Sequence, residues 1–295
     1  MLHEFIILEE NSGIRLDKFL SENLSDLSRS KINKLIDNGS VKVNGTIKKS
    51  SFKLKSGQTI RVNINEQSLI LEPFKKEINI IYEDNYIIVI DKPAPLVVHP
   101  PHIGYNSTLV NALIYLDKKL SSINPLRPGV VHRLDKETSG LMVLAKDNIC
   151  HENIINQFKK RTVKKVYVAV VWGQVKKDKL SVNLPLARDK KNRLKMAVSF
   201  LGAKEAYTEI EVVKRFKDKT LLSIKPRTGR MHQIRVHLKF LGFPIVGDKK
   251  YGIKDNYIEL FLHSKELCFM HPVKGNLLKF ETPLPERFVE ILKEK

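Results

Sequence analysis

Gly129-Val-Val-His-Arg-Leu-Asp-Lys-Glu-Thr-Ser-Gly-Leu-Met-Val-Leu-Ala-Lys146 is the stretch whose reading decides the fold. Its two apolar runs, Val130–Val131 and Leu141–Ala145, read as strand ends. Between them lies a polar loop with His132, Arg133, Asp135, Lys136, Glu137, Thr138 and Ser139, and Gly140 reads as the turn into the second run. A carboxylate and an arginine fixed on a loop between strands are placed to do chemistry. The same residues also read as a salt-bridged turn capped by Asp135. Taken alone, the stretch leaves both readings open.

The composition favours a polyanionic partner. The chain has 295 residues, enough for a large core and two domains. Hydrophobic residues make up 42%, which excludes a disordered chain. Lysine and arginine number 52 against 32 aspartates and glutamates, a formal net charge of +20. Nucleic acid is the first candidate for such an excess, although lysine-rich faces also serve solubility. Cys150 and Cys268 stand far apart and outside any Cys-x-x-Cys pair, so they read as isolated thiols. No apolar run has the length of a membrane span, and Met1-Leu2-His3-Glu4 followed by Glu9-Glu10 lacks a leader pattern. The expected protein is cytoplasmic.

Residues 12–63 read as a small unit. Leu16, Phe19 and Leu20 give a short amphipathic helix; Ser28 caps a second, with Ile32, Leu35 and Ile36 inward. Asn38-Gly39 ends that helix, Val41–Val43 reads as a strand, Asn44-Gly45 as a hairpin turn and Thr59–Val62 as a final strand. Arg29, Lys31 and Lys34 are the cations on this unit best suited to a phosphate backbone. Residues 64–77 read as a connection, placing a boundary near residue 75.

Farther on, Ile78–Tyr82 and Tyr86–Ile90 read as strands joined at Glu83-Asp84-Asn85 and ending in Asp91-Lys92-Pro93. Pro95–Pro100 reads as an extended loop, and Thr108–Tyr115 and Asn148–Lys160 as helices. Lys164–Gly173 alternates as a strand, while residues 174–200 are irregular. Gly229 marks a turn before a short helix carrying Arg235; Arg230 and Arg235 suit phosphate or carboxylate contacts. His232 and His237 are five apart, where a zinc-binding helix wants four, so no metal is expected.

His132-Arg133-Leu134-Asp135 with Thr138-Ser139-Gly140-Leu141 resembles the signature of the RluA family of RNA pseudouridine synthases. Two later segments resemble that family's further motifs in order: Lys165-x-Tyr167-x-Ala169-x-Val171 and Arg227-Thr-Gly-Arg-Met-His-Gln-Ile-Arg235. Ile210 stands where the family usually has an aromatic residue, a departure that bears on packing. The pieces Arg15–Leu20, Ser28–Lys31 and Ile36–Gly45 resemble an S4-type RNA-binding domain.

The resemblance implies an α+β protein. An S4-like domain and connection would occupy residues 1–75, with a core at 12–63, and a synthase domain residues 76–295, built on a mixed, mainly antiparallel sheet with flanking helices. It implies that Asp135 is the catalytic carboxylate and that Arg235 pairs with it and keeps it ionised. Tyr167 would stack on a flipped uracil and help remove its C5 proton, and Arg133 would fill the space the base vacates. His132 and Arg230 are further RNA contacts in this reading. Isomerisation needs no redox cofactor, so none is expected. The expected substrate is large-subunit (23S) ribosomal RNA or a pre-ribosomal particle, handled by a monomer. A tRNA synthase, a non-catalytic RNA-binding or ribosome-assembly protein, and a hydrolytic N-glycosidase are the alternatives.

Overall fold

The computed structural model describes residues 2–24, 27, 29–63, 71–102 and 104–293. The chain divides into two compact units, Met1–Ile70 and Leu71–Lys295. The Ser28 cap expected from sequence lies outside the described residues, as does part of the connection.

The first unit packs two helices, α1 (Leu16–Asn23) and α2 (Arg29–Asp37), on a three-stranded sheet. Its strands are β1 (Leu2–Ile6), β2 (Val41–Val43) and β3 (Thr59–Asn63), with β3 in the centre. Leu16, Phe19, Leu20, Ile32 and Ile36 meet Val41, Val43, Ile60 and Val62 in one core, so the helical and strand periodicities converge on the same interior. Two expectations need correction. The core reaches back before residue 12, because β1 pairs with β3 from Leu2–Asn63 to Ile6–Thr59. Asn44-Gly45 does form a two-residue turn, with both residues at positive φ, but it leads into no second strand of a hairpin; β2 pairs instead with β3.

The second unit is built on a nine-stranded sheet. In chain order its strands are β4 (Asn79–Glu83), β5 (Ile87–Lys92), β6 (Ser139–Ala145), β7 (Lys164–Trp172) and β8 (Lys179–Asn183). A short separate pair, β9 (Leu186–Arg188) and β10 (Met196–Val198), comes next. The sheet then resumes with β11 (Tyr207–Arg215), β12 (Lys219–Pro226), β13 (Leu262–Met270) and β14 (Leu277–Glu281). The order is β4-β5-β6-β13-β7-β12-β11-β8, with β14 also on β13; among these pairs β6–β13 is parallel and the rest antiparallel. Helices α3 (Leu109–Tyr115), α4 (Asn148–Lys159), α5 (Gln233–Phe240) and α6 (Glu286–Lys293) complete it.

The central strands are buried on both faces. On β5 and β6, Ile88, Ile90, Met142 and Leu144 join one core, and Ile87, Val89, Leu141 and Val143 join the other. That is why these stretches read as unbroken apolar runs instead of alternating ones. The helix starts follow local capping chemistry: Thr108 caps α3 by accepting from Asn111 N–H, and Asp147 caps α4 by accepting from Cys150 N–H.

Three readings of this unit are corrected. Val130–Val131 is not a strand end; Val130 makes a single bridge to Leu144. Gly140 lies within β6 at φ 113°, and its role is close approach: a Cβ there would sit 2.5 Å from the Ser264 backbone nitrogen on β13. The stretch read as irregular contributes β8 to the main sheet.

Candidate active site

Asp135 is held by a loop whose backbone is pinned at both ends. Gly129 bonds Ser121 and Ala145, and Leu96 N–H donates to Lys136 O at 2.9 Å. Under the loop, the fully buried Lys92 at the end of β5 donates its ammonium to Pro93 O, Leu96 O and Lys136 O at 2.8, 3.0 and 3.3 Å. Burial pushes the Lys92 pKa down to about 7, although Asp135, Glu137 and Asp91 pull the other way.

Opposite the loop, α5 presents Arg235, whose side chain is 2% exposed. The pairing of Arg235 with Asp135 expected from sequence is present at 3.5 Å, and the structure adds two further carboxylates to it. Arg235 Nε and Nη2 form a bidentate pair with Asp248 at 2.8 and 2.7 Å. Its Nη1 then reaches Glu137 at 3.2 Å and Asp135 at 3.5 Å. Burial opposes the charge on Arg235, but the Asp248 carboxylate holds its pKa above the ordinary arginine value. Asp248 is fixed in turn by Lys250 and Tyr251 N–H groups at 2.9 and 3.0 Å. Asp135 thus sits beside a fixed positive charge without being locked into a two-bond pair, and its side chain stays 17% exposed.

His232, at φ 55° just before α5, brings Nε2 to 3.9 Å from Asp135 Oδ2. Its Nδ1 is 2.7 Å from the Tyr251 hydroxyl, which accepts the Met196 N–H. The tautomer that takes the tyrosine proton at Nδ1 carries its own proton on Nε2, facing Asp135. Burial lowers the His232 pKa and favours this neutral ring, with Asp135 opposing.

A cavity of about 520 Å³ opens here, within the range of about 300–1,000 Å³ usual for small-molecule sites. Asp135, Tyr167 and Arg235 all line it, together with His132, Arg133 and Arg230. Tyr167 on β7 is buried, its hydroxyl bonded to Ser264, and burial pushes its pKa up to about 12. A phenol held protonated is a stacking surface and hydrogen-bond donor, not a resting-state base. His132 accepts Val143 N–H at its Nε2 and stacks on Phe158 with centroids 4.6 Å apart. Burial lowers its pKa to about 3, so it meets a ligand as a neutral ring. Arg133 is exposed at the rim; Arg230 donates to Glu205 O at 2.9 Å.

In the first unit, Arg29 pairs with the buried Asp17 at 3.0 Å and Lys34 is exposed. Lys31 lies in α2, and its side chain is outside the described residues. Among the described residues, no cluster of histidine, cysteine or carboxylate side chains could hold a metal ion, and Cys150 and Cys268 are free. Sequence reasoning missed Asp248, Lys92 and His232. Asp248 carried a signal: Gly242-Phe-Pro-Ile-Val-Gly-Asp248 is a segment of turn residues that ends in a carboxylate 13 positions after Arg235.

Residues 86–240, more than half the chain, match the RNA pseudouridylate synthase family, and residues 14–60 match the S4 domain. The chain belongs to the RNA pseudouridylate synthase family. An uncharacterized RNA pseudouridine synthase of Bacillus subtilis, YlyB, is 41% identical over 96% of this chain and 95% of its own. The ribosomal large subunit pseudouridine synthase D of Neisseria meningitidis serogroup A is 39% identical over 96% of this chain and 79% of its own. The solved human RNA pseudouridylate synthase domain containing 4 aligns with TM-score 0.57 and 27% identity, over 72% of this chain and 91% of that one. As an RNA pseudouridylate synthase the protein is an isomerase acting on RNA, with an S4 domain ahead of the catalytic one. No helix among the described residues is long and apolar enough to cross a membrane.

Proposed function

We propose that the chain, as a cytoplasmic monomer, converts uridines of large-subunit ribosomal RNA to pseudouridine, with Asp135 as its essential carboxylate. The observation that carries this reading is the Asp135 carboxylate in the cavity, 3.5 Å from an arginine already satisfied by Asp248. Such a carboxylate faces a fixed positive charge yet keeps lone pairs for the sugar. Glycosidases need a second carboxylate to protonate a departing group; an isomerase that retains its leaving group does not. The target nucleotide has to leave its stack to enter the cavity, at a cost of about a few kcal/mol. Tyr167 then stacks on the uracil, and Arg133 at the rim fills the vacated place. His132 and Arg230 contact the RNA around the opening.

In this reading residues 1–75 grip folded RNA through Arg29, Lys31 and Lys34, and residues 76–295 perform the isomerisation. The substrate class follows the relatives named as ribosomal large subunit synthases. The test is carbodiimide mapping with primer extension on unmodified large-subunit rRNA and on tRNA, each incubated with the protein. New stops on rRNA are expected. Stops confined to tRNA would discard the rRNA assignment and keep the chemistry.

A further inference from the structure

The cations lining the cavity differ in how their charge is met. Arg235, Arg227 and Arg161 face carboxylates at 2.7, 2.6 and 3.7 Å, Arg133 and Lys159 are exposed to water, and Arg230 donates to the Glu205 carbonyl at 2.9 Å. Lys165 has none of these arrangements: it is half-buried, and no carboxylate among the described residues lies within ion-pair distance of its ammonium. Burial lowers its pKa to about 8, so it is still mainly protonated at neutral pH.

The position of Lys165 is specific. It precedes Tyr167 by two residues on β7, so the two side chains leave the strand on the same face and both line the cavity. Its Nζ lies 5.8 Å from the Phe158 ring centroid, beside the His132 ring that stacks there. It is also 3.8 Å from where a Cβ on Gly229 would stand, so the Gly229 turn packs beside the ammonium. A cation that is partly desolvated and without a counterion inside a reaction cavity is placed for an anion that arrives or forms there.

The reaction forms such an anion. When N1–C1′ breaks, the bonding pair goes to N1 and the uracil becomes a monoanion delocalised over N1, O2 and O4. C1′ is taken by the Asp135 carboxylate, or a glycal forms when Asp135 takes the 2′ proton. If Asp135 instead adds first at C6, the ring again bears the negative charge. C5 then bonds C1′ as the Asp135 carboxylate leaves it, or, from the glycal, as Asp135 returns its proton to C2′; in the C6 route the Asp135–C6 bond also breaks. C5 gives up its proton and N1 gains one. Nothing is oxidised or reduced.

We propose that Lys165 is a further catalytic residue, whose ammonium stabilises the negative charge on the uracil while it is detached from the ribose. The inference rests on the synthase reading of this cavity. The test compares wild type, Lys165→Met, Lys165→Arg and Asp135→Asn by single-turnover tritium release from RNA labelled at uracil C5, with RNA affinity and melting temperature measured separately. Removing one preorganised donor of this kind typically costs about 10²–10³ in rate. Lys165→Met is therefore expected to lose about that much with affinity within about threefold, and Lys165→Arg to recover at least about a tenth of the wild-type rate. If Lys165→Met melts below the assay temperature, Lys165→Gln takes its place under the same criteria. A rate within about threefold of wild type would overturn the proposal. So would a loss confined to affinity with the salt slope reduced by about one, the mark of a phosphate contact. Tritium released by wild type but not Asp135→Asn keeps the synthase reading intact whichever way Lys165 falls. A wild type silent on every RNA would overturn both.

Discussion

Each unit of this protein contains an arginine–aspartate cluster with a buried centre, and the two turn opposite charges outward. In the first unit the acid is inside: Asp17, its side chain 3% exposed, accepts from Arg15 and Arg29, which are 49% and 63% exposed. In the second the cation is inside: Arg235 and Asp248 are 2% and 1% exposed, while Asp135 and Glu137, at 17% and 41%, face outward from it. The first arrangement orients positive charge toward solvent, where a phosphate backbone can meet it. The second orients a carboxylate toward a cavity beside a fixed positive charge. The same pair of residue types turns cations outward in one unit and a carboxylate outward in the other.

The strongest way to break the second cluster is Arg235→Met. Removing one partner of a buried pair leaves Asp248 with an uncompensated charge, at about 3–5 kcal/mol. Trp172, the chain's single tryptophan, lies on β7 and reports unfolding of this unit by fluorescence. Urea titration is expected to show that loss. An unchanged midpoint would mean that Arg235 is not the structural centre of the site.

Lys92 sharpens the comparison, since it is a buried cation held by carbonyls. Lys92→Met removes a donor shared by three backbone oxygens beneath the Asp135 loop and is expected to cost about 2–3 kcal/mol and to slow catalysis. The Lys92 pKa falls to about 7 when folded, below its unfolded value, so the unfolded chain binds more protons above neutrality. This group therefore makes stability rise as pH climbs from about 7 toward 10. Lys92→Met should lack that rise, and an identical pH slope in the variant would refute the assignment.

The smallest effect is expected in the first unit. Asp17→Asn should cost about 1–2 kcal/mol, discounted for the exposure of both arginines. The hydrogen bond from Arg15, with that from Arg29, lowers the Asp17 pKa to about 2. Its contribution is full above the unfolded carboxylate pKa and is lost as pH falls from about 4 through about 2. Hydrogen exchange of α1 amides across that window should show the loss in wild type and not in Asp17→Asn.

Much of this was legible because local rules and tertiary structure agreed. The unbroken apolar runs of β5 and β6, the helix after Thr108 and the helix after Gly229 follow from residue type and spacing. Asp135, Tyr167 and Arg235 were named from separated motifs, and the structure brings them to one cavity. What escaped depends on long-range choice. Arg235 bonds Asp248, 13 positions along, more closely than Asp135, 100 positions back, and no spacing rule ranks those two carboxylates. Lys92 at a strand end reads as solvated, since only the folded loop supplies its three carbonyls. Gly140 reads as a turn because the Ser264 backbone that excludes its side chain comes from a distant strand. β1, half-exposed and alternating weakly, shows itself only through its pairing with Thr59–Asn63.

The central claim is that the Asp135 carboxylate performs the isomerisation. The most direct measurement is Asp135→Asn beside wild type on the same rRNA, scored by carbodiimide stops, with Trp172 melting and RNA affinity as controls. Asparagine keeps the shape and removes the charge. The account predicts no pseudouridine from the variant, with melting and affinity unchanged. Pseudouridine formed by Asp135→Asn at a rate within about tenfold of wild type would contradict it.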